Sequence, residues 1–208
     1  MTVTPERPLR ADAARNAERI LRAARDVYAA SGPDAPIDVI ASRAGVGERT
    51  LYRRFPSKGD LIRAALDQSI AENLAPAIAR ARRCDDPLRG LTELLEAAIS
   101  LGAQEHNLLA AARRAGALAD ISVTLDAALQ ELMDRAQLAG LLRADLVADD
   151  LPRIIAMLYS VLWTMDPADR GWRRYVALVL DGMTTTKGRR LHRAPKLRYG
   201  SPETDWPL

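Results

Sequence analysis

Residues Glu48 to Arg54 read Glu-Arg-Thr-Leu-Tyr-Arg-Arg, and Lys58 follows four positions later. A guanidinium carries a planar fork of N–H donors that fits phosphate oxygens or the two acceptors on a guanine edge. Threonine and tyrosine hydroxyls hydrogen-bond to phosphate, and a lysine ammonium adds a point charge. Such a set grips a polyanion; it does not make or break bonds. The sequence has no glycine loop for nucleotide phosphates, no paired Cys/His spacing for a metal and no nucleophile signature. Asp85-Asp86 and Asp149-Asp150 are neighbouring carboxylates, which point apart on a helix and suit helix starts.

A helix this short must be held by its neighbours. The spacing predicts a second short helix just before it, from Ile37 to about Arg43, with Ile37, Ile40, Ala41 and Ala44 facing inward. Ala44-Gly45-Val46-Gly47 then makes a tight turn. Ala41 and Ala44 are small enough for a steep crossing, and Gly45 can take a positive φ without a Cβ penalty. Val46, Leu51 and Phe55 can fill the small core between the helices. Two short helices joined by a glycine turn form the helix-turn-helix pattern. Its outer face would show Glu48, Arg49, Thr50, Tyr52 and Arg53 to solvent, and the DNA major groove is wide enough to admit one such helix.

Upstream, residues 1–10 read as a flexible arm. A first helix from about Asp12 to Ser31 carries Ala17, Ile20, Leu21, Ala24, Val27 and Tyr28 at spacings of three and four. Gly32-Pro33-Asp34 ends it. Ser57 can cap a fourth helix, with Asp60 three residues on, running from Lys58 to about Ile78. Further helices follow at about Pro87–Gln104, Leu108–Ala117, Ile121–Ala139, Leu151–Met165 and Arg170–Thr184. Thr184 to Leu208 is basic, proline-bearing and aperiodic, and reads as a mobile tail.

The composition agrees with an all-α chain. Of 208 residues, 48% are hydrophobic but only 4% aromatic, so the apolar content is mostly Ala, Leu, Val and Ile. Residues 1–63 hold 12 Lys/Arg against 8 Asp/Glu, and residues 186–208 hold 6 against 2. The stretch between is acidic, within a net charge of +3. This asymmetry suggests an anionic partner at one end. No apolar run approaches the roughly 18–20 residues that cross a bilayer, and the polar, proline-bearing start does not resemble a secretory signal. One cysteine, Cys84, and two histidines, His106 and His192, argue against disulfides and metal sites. No cofactor is expected, and a reducing cytoplasm is the default compartment. Cys84 sits in a polar linker, either as an idle thiol or as a redox switch.

Ala41-Ser-Arg-Ala-Gly-Val-Gly-Glu-Arg-Thr-Leu-Tyr-Arg-Arg-Phe55, followed by Pro56-Ser-Lys-Gly-Asp-Leu61, resembles the DNA-binding domain of the TetR family of bacterial transcriptional repressors. The match covers about residues 15–65 and includes Tyr28 and Ser31-Gly32 at the end of the first helix. The resemblance implies a three-helix helix-turn-helix domain over residues 10–57, a larger helical effector-binding and dimerisation domain over 58–184, and a basic tail over 185–208. It places Arg49, Thr50 and Tyr52 in or beside the groove, Thr50 and Tyr52 on phosphates, and Arg49 on a base edge. Arg53 and Arg54 would neutralise flanking phosphates, and Lys58 matches a phosphate-contacting lysine. Gly47 stands where many relatives carry a Ser or Thr cap that touches the DNA backbone; near Pro36 and Ile37 another frequent hydroxyl is absent. Glu48 would accept from cytosine or compensate Arg49. Arg10 and Arg15 could reach a neighbouring groove or simply face solvent.

The resemblance further implies a homodimer on double-stranded, palindromic DNA and release by a small-molecule effector. Candidate dimer residues are Ile154, Ile155, Leu158, Leu162, Tyr175, Val179 and Met183, on two helices apolar on more than one face. Candidate pocket residues are Leu95, Ile99, His106, Leu125, Leu129, Met133, Met157 and Trp163, which suggest an aliphatic cavity for a hydrophobic effector. Each could equally be plain core. The alternatives are a helical interaction module without ligand response and an all-helical enzyme.

Overall fold

A computed structural model of the chain describes residues 6–116, 122–162, 164–165 and 170–184. Ten α-helices occur among them: α1 Glu6–Ser31, α2 Ile37–Ala44, α3 Glu48–Arg54, α4 Lys58–Ser69, α5 Ala75–Arg82, α6 Pro87–Gln104, α7 His106–Arg114, α8 Ser122–Leu138, α9 Asp150–Leu162 and α10 Trp172–Met183. The described residues contain no β-strand, only an isolated antiparallel bridge between Leu142 and Thr184. The fold is all-α. Trp163 and the segment 185–208 lie outside the described residues.

Packing divides the chain into two compact units, with the first change falling between Gln68 and Ser69. The first unit gathers α1 to α4 together with α7. Its core is built from Ile20, Ala24, Val27 and Tyr28 of α1, Ile40 and Ala41 of α2, Leu51 of α3, Leu61, Ala65 and Leu66 of α4, and Leu108 and Ala112 of α7. Each set follows the three-four spacing that puts one stripe inward. The helix α1 begins at Glu6, so the expected arm is already helical there. Pro8 falls in the first turn, where backbone N–H groups have no intrahelical acceptor and a missing one costs nothing.

The expected single helix from Lys58 to Ile78 is interrupted. A π-helical turn, Ile70–Leu74, joins α4 to α5. Pro76 explains the irregularity: it lacks an N–H, and its ring would collide with the carbonyl four residues back. Widening the preceding turn relieves that collision. Asn73 Nδ2 donates to the Ser69 carbonyl at 2.9 Å and supports the widened turn.

The second unit comprises the π turn, α5, α6, α8, α9 and α10. Leu91, Leu94, Leu95 and Ile99 of α6 pack with Leu129 and Leu132 of α8, Ile154, Ile155 and Leu158 of α9, and Trp172, Val176 and Leu180 of α10. Gly90 permits a close approach: a Cβ there would lie 2.8 Å from the Ala81 carbonyl oxygen.

Candidate nucleic-acid interface

The geometry of α3 follows from the turn before it. Gly45 has φ +64°, the left-handed region that costs a non-glycine residue about 1 kcal/mol or more. Its N–H donates to the Ser42 carbonyl at 3.0 Å, and the Val46 N–H donates to the Ala41 carbonyl at 3.0 Å. These bonds end α2 and reverse the chain. Gly47, at φ −74° and ψ 150°, caps α3 with its carbonyl alone, which accepts from Thr50 and Leu51. It has no side chain with which to add a contact.

Leu51 is fully buried and Phe55 nearly so; Ile40, Ala41 and Ala44 complete the small core, while Val46 is half-buried and Gly45 exposed. Anchored on that side, α3 leaves Glu48, Arg49, Arg53 and Arg54 exposed, Thr50 half-buried and Tyr52 43% exposed. No ion pair among the described residues engages Arg49, Arg53 or Arg54. Glu48 therefore does not compensate Arg49 in this state. Arg15 is also exposed, and the side chain of Arg10 lies outside the described residues.

Lys58 opens α4. Ser57 and Asp60 cap that helix reciprocally: the Asp60 N–H donates to Ser57 Oγ at 3.1 Å and the Ser57 N–H donates to Asp60 Oδ2 at 3.0 Å. The ammonium of Lys58 lies 6.0 Å from the centre of the Tyr28 ring and donates to the Asp34 carbonyl at 3.5 Å. This half-buried cation sits at a helix N-terminus, where unmatched N–H groups also favour an anion. The first unit thus presents, along α3 and at the start of α4, three guanidiniums with no ion-pair partner among the described residues, two hydroxyls and an ammonium. Such an array fits a phosphate backbone and a groove floor.

The second unit distributes the expected pocket and dimer residues differently. Leu95, Ile99, Leu129 and Met133 are packed inside its core and Leu125 lies against it, whereas Met157 is 57% exposed. His106 is half-buried at the start of α7, in the first unit. A cavity of about 250 Å³ between α6 and α10 is lined by Leu88, Thr92, Glu96, Val176, Ala177, Leu180, Asp181 and Thr184, none of them an expected pocket residue. Ile154, Ile155, Leu158, Leu162 and Met183 belong to the buried core of the second unit. Val179 is partly buried against that core, and Tyr175 is exposed. The exposed large apolar side chains on α9 and α10 are Met157, Tyr175 and Leu178. Both helices are apolar on more than one face, so periodicity alone could not say which stripe turns inward.

Sequence reasoning also missed two ion pairs that bind α7 into the first unit, Arg25–Glu105 and Arg114–Asp34. Their partners lie 80 residues apart, and no local spacing could reveal them.

Comparison with known proteins gives the following. Residues 20–65 match the family described as bacterial regulatory proteins, tetR family. Residues 86–185 match the C-terminal domain of SbtR-like transcriptional regulators. A TetR transcriptional regulator from Streptomyces coelicolor is 30% identical, covering 81% of this chain and 98% of its own, with a TM-score of 0.57. A TetR transcription regulatory protein from Mycobacterium vanbaalenii is 31% identical, covering 85% and 99%, with a TM-score of 0.57. A transcriptional regulator from Saccharomonospora viridis, solved in complex with choline, shares the fold at a TM-score of 0.69 and 20% identity, covering 83% and 100%. No curated protein matches the chain.

Proposed function

The chain belongs to the TetR family of bacterial transcriptional regulators, and we propose that it works as a homodimeric repressor, released from a palindromic operator by a small hydrophobic effector. In that reading residues 10–57, together with Lys58 at the start of α4, read DNA, and the rest of 58–184 binds the effector and holds the dimer. Its place is the cytoplasm, with the DNA. The observation that carries the reading is the outer face of α3: Arg49, Tyr52, Arg53 and Arg54 stand in solvent while Leu51 and Phe55 anchor the helix from behind. Arg49 takes a base edge. Thr50, Tyr52, Arg53, Arg54 and Lys58 take phosphates. A single seven-residue helix offers few contacts, and a two-fold pair doubles them at a fixed spacing. Met157, Tyr175 and Leu178 supply the apolar face for that pairing.

The effector is apolar because the interior it must enter is aliphatic. Leu95, Ile99, Leu129 and Met133 belong to one close-packed buried core, so a ligand lodging among them must favour a state in which that core opens. It releases DNA only by its difference in affinity between that state and the operator-bound one. A regulator of this kind needs no catalytic group, and the reading assigns none.

The test is selection of DNA fragments by the purified protein, followed by gel-shift titration at several salt concentrations. A two-fold symmetric site is expected. Arg49→Ala should cost about 1–3 kcal/mol and relax specificity at one base pair. Arg53→Ala should weaken all sequences alike and flatten the salt dependence. Recovery of no sequence-selective, salt-sensitive complex would overturn the reading.

A further inference from the structure

The helix α7 packs in the first unit through polar contacts at both of its ends. At its start Glu105 accepts from Arg25, and Asn107 Nδ2 donates to the Ala29 carbonyl at 3.4 Å. At its last residue, Arg114 Nη1 donates to Asp34 Oδ1 at 2.7 Å. Asp34 is also the residue whose carbonyl receives Lys58. One residue in the loop between α1 and α2 therefore holds two cations from different helices. The end of α7 also abuts the first turn of α4, because a Cβ on Gly59 would lie 4.0 Å from the Ala115 Cβ. Arg114 and Asp34 are 62% and 84% exposed, so the pair faces water.

We propose that Arg114, oriented by Asp34, is a further DNA-backbone contact that binds a phosphate beside the one taken by Lys58. The inference rests on the reading of α3 and α4 as the DNA-facing surface. A guanidinium has five N–H donors, and the Asp34 contact occupies only Nη1. Nε and Nη2 remain to reach a phosphate while Asp34 fixes the fork. An exposed ion pair contributes little by itself to folding, so holding Arg114 in place is a fitting role for it. The pair also offsets the Asp34 carboxylate, which alone would repel the backbone. Nothing about a helix that follows α6 in the chain marks it as part of a DNA surface; the contact with Asp34 does.

The experiment measures operator affinity against salt concentration for the full-length chain. Each phosphate-bound cation lost should reduce the slope of log K against log salt by about 0.9, hence about 1.8 for a dimer on two half-sites. Arg114→Gln should show that loss on operator and non-operator DNA alike, with thermal unfolding unchanged. A role limited to neutralising Asp34 is separated by comparing Asp34→Ala with Asp34→Ala/Arg114→Gln. A slope still lower in the double variant supports a phosphate contact, and equal slopes overturn it. Lys58→Ala, run alongside, tests the underlying surface. If Lys58→Ala flattens the slope and Arg114→Gln does not, the surface stands and this inference falls. If Arg114→Gln flattens it and Lys58→Ala does not, Arg114 stands as a contact and the role of Lys58 is what fails.

Discussion

Arg25 and Glu105 lie 80 residues apart in sequence and meet at 2.6–2.7 Å, with both Nε and Nη2 of the guanidinium on one carboxylate oxygen. Their side chains are only 21% and 6% exposed. The pair joins the C-terminal third of α1 to the residue that precedes α7.

Removing one partner of a pair this deep takes away a charge-assisted contact, so Glu105→Ala should destabilise the chain by about 1.5–3 kcal/mol in urea unfolding. Replacing both with leucine should recover most of that loss, because the desolvation penalty of two charges disappears with their attraction. A loss under about 0.5 kcal/mol for Glu105→Ala would mean the contact is no more than an ordinary surface pair.

Two phenols hold their protons above the usual range in the folded chain. Burial pushes Tyr28 up to about 12, and the nearby Asp34 carboxylate adds to the rise. Burial also raises Tyr159 to about 12. An unfolded tyrosine ionises near ~10. Above that pH the unfolded chain sheds protons that the folded chain keeps. Stability is therefore unaffected at lower pH and falls as pH rises from ~10 towards the folded values. Urea unfolding at pH ~7 and ~10.5 should show the drop, and Tyr28→Phe should shrink it. The same variant should be neutral or stabilising by about 1 kcal/mol at pH ~7, since the Tyr28 hydroxyl is buried without a hydrogen-bond partner among the described residues. Tyr159→Phe should instead cost about 1 kcal/mol, because that hydroxyl donates to the Ala98 carbonyl at 3.1 Å.

Much of this architecture is legible in the sequence because the deciding forces are local. Gly45, the cap at Ser57 and Asp60, and the alternation of Leu51 and Phe55 with Arg49 and Arg53 act within a few residues. The three-four spacing of α1 and α6 picks their inward stripes because only one face of each is apolar. It fails on α10: Trp172, Val176, Leu180 and Met183 are buried, yet Tyr175, Val179 and Met183 make an equally regular apolar row. Partners outside the helix choose between the rows. The placement of α7 is illegible for the same reason, since it rests on Arg25 and Asp34, which belong to another part of the chain. The π turn could have been suspected from Pro76, whose place inside a continuous apolar pattern demanded a local irregularity.

Gly102 of α6 lies against the ring of Tyr159 of α9, and a Cβ added there would collide with Tyr159 Cε1 and lie 2.8 Å from Cδ1. Alanine normally stabilises a helix interior over glycine by about 1 kcal/mol. The sign of the effect therefore reports whether the Tyr159 ring holds its place. Gly102→Ala should destabilise by about 1–3 kcal/mol through overpacking. Adding Tyr159→Ala should make the double variant less damaging than the sum of the two changes. A stabilised Gly102→Ala would show that the ring can move aside freely.

The exposed row on α9 and α10 gives the sharpest test of assembly. Met157 and Leu178 are more than half exposed, whereas Val176, two residues from Leu178, is buried in the protomer core. A charge on the exposed row should act on association alone, and a charge on the buried row on folding. With the proposed dimer paired through this row, Leu178→Glu should halve the mass seen by sedimentation, keep its helical circular dichroism and lose most of its operator affinity, because one half-site cannot supply the contacts of two. Val176→Glu should instead fail to fold. A Leu178→Glu protein that remains dimeric would move the subunit contact to another face of the second unit.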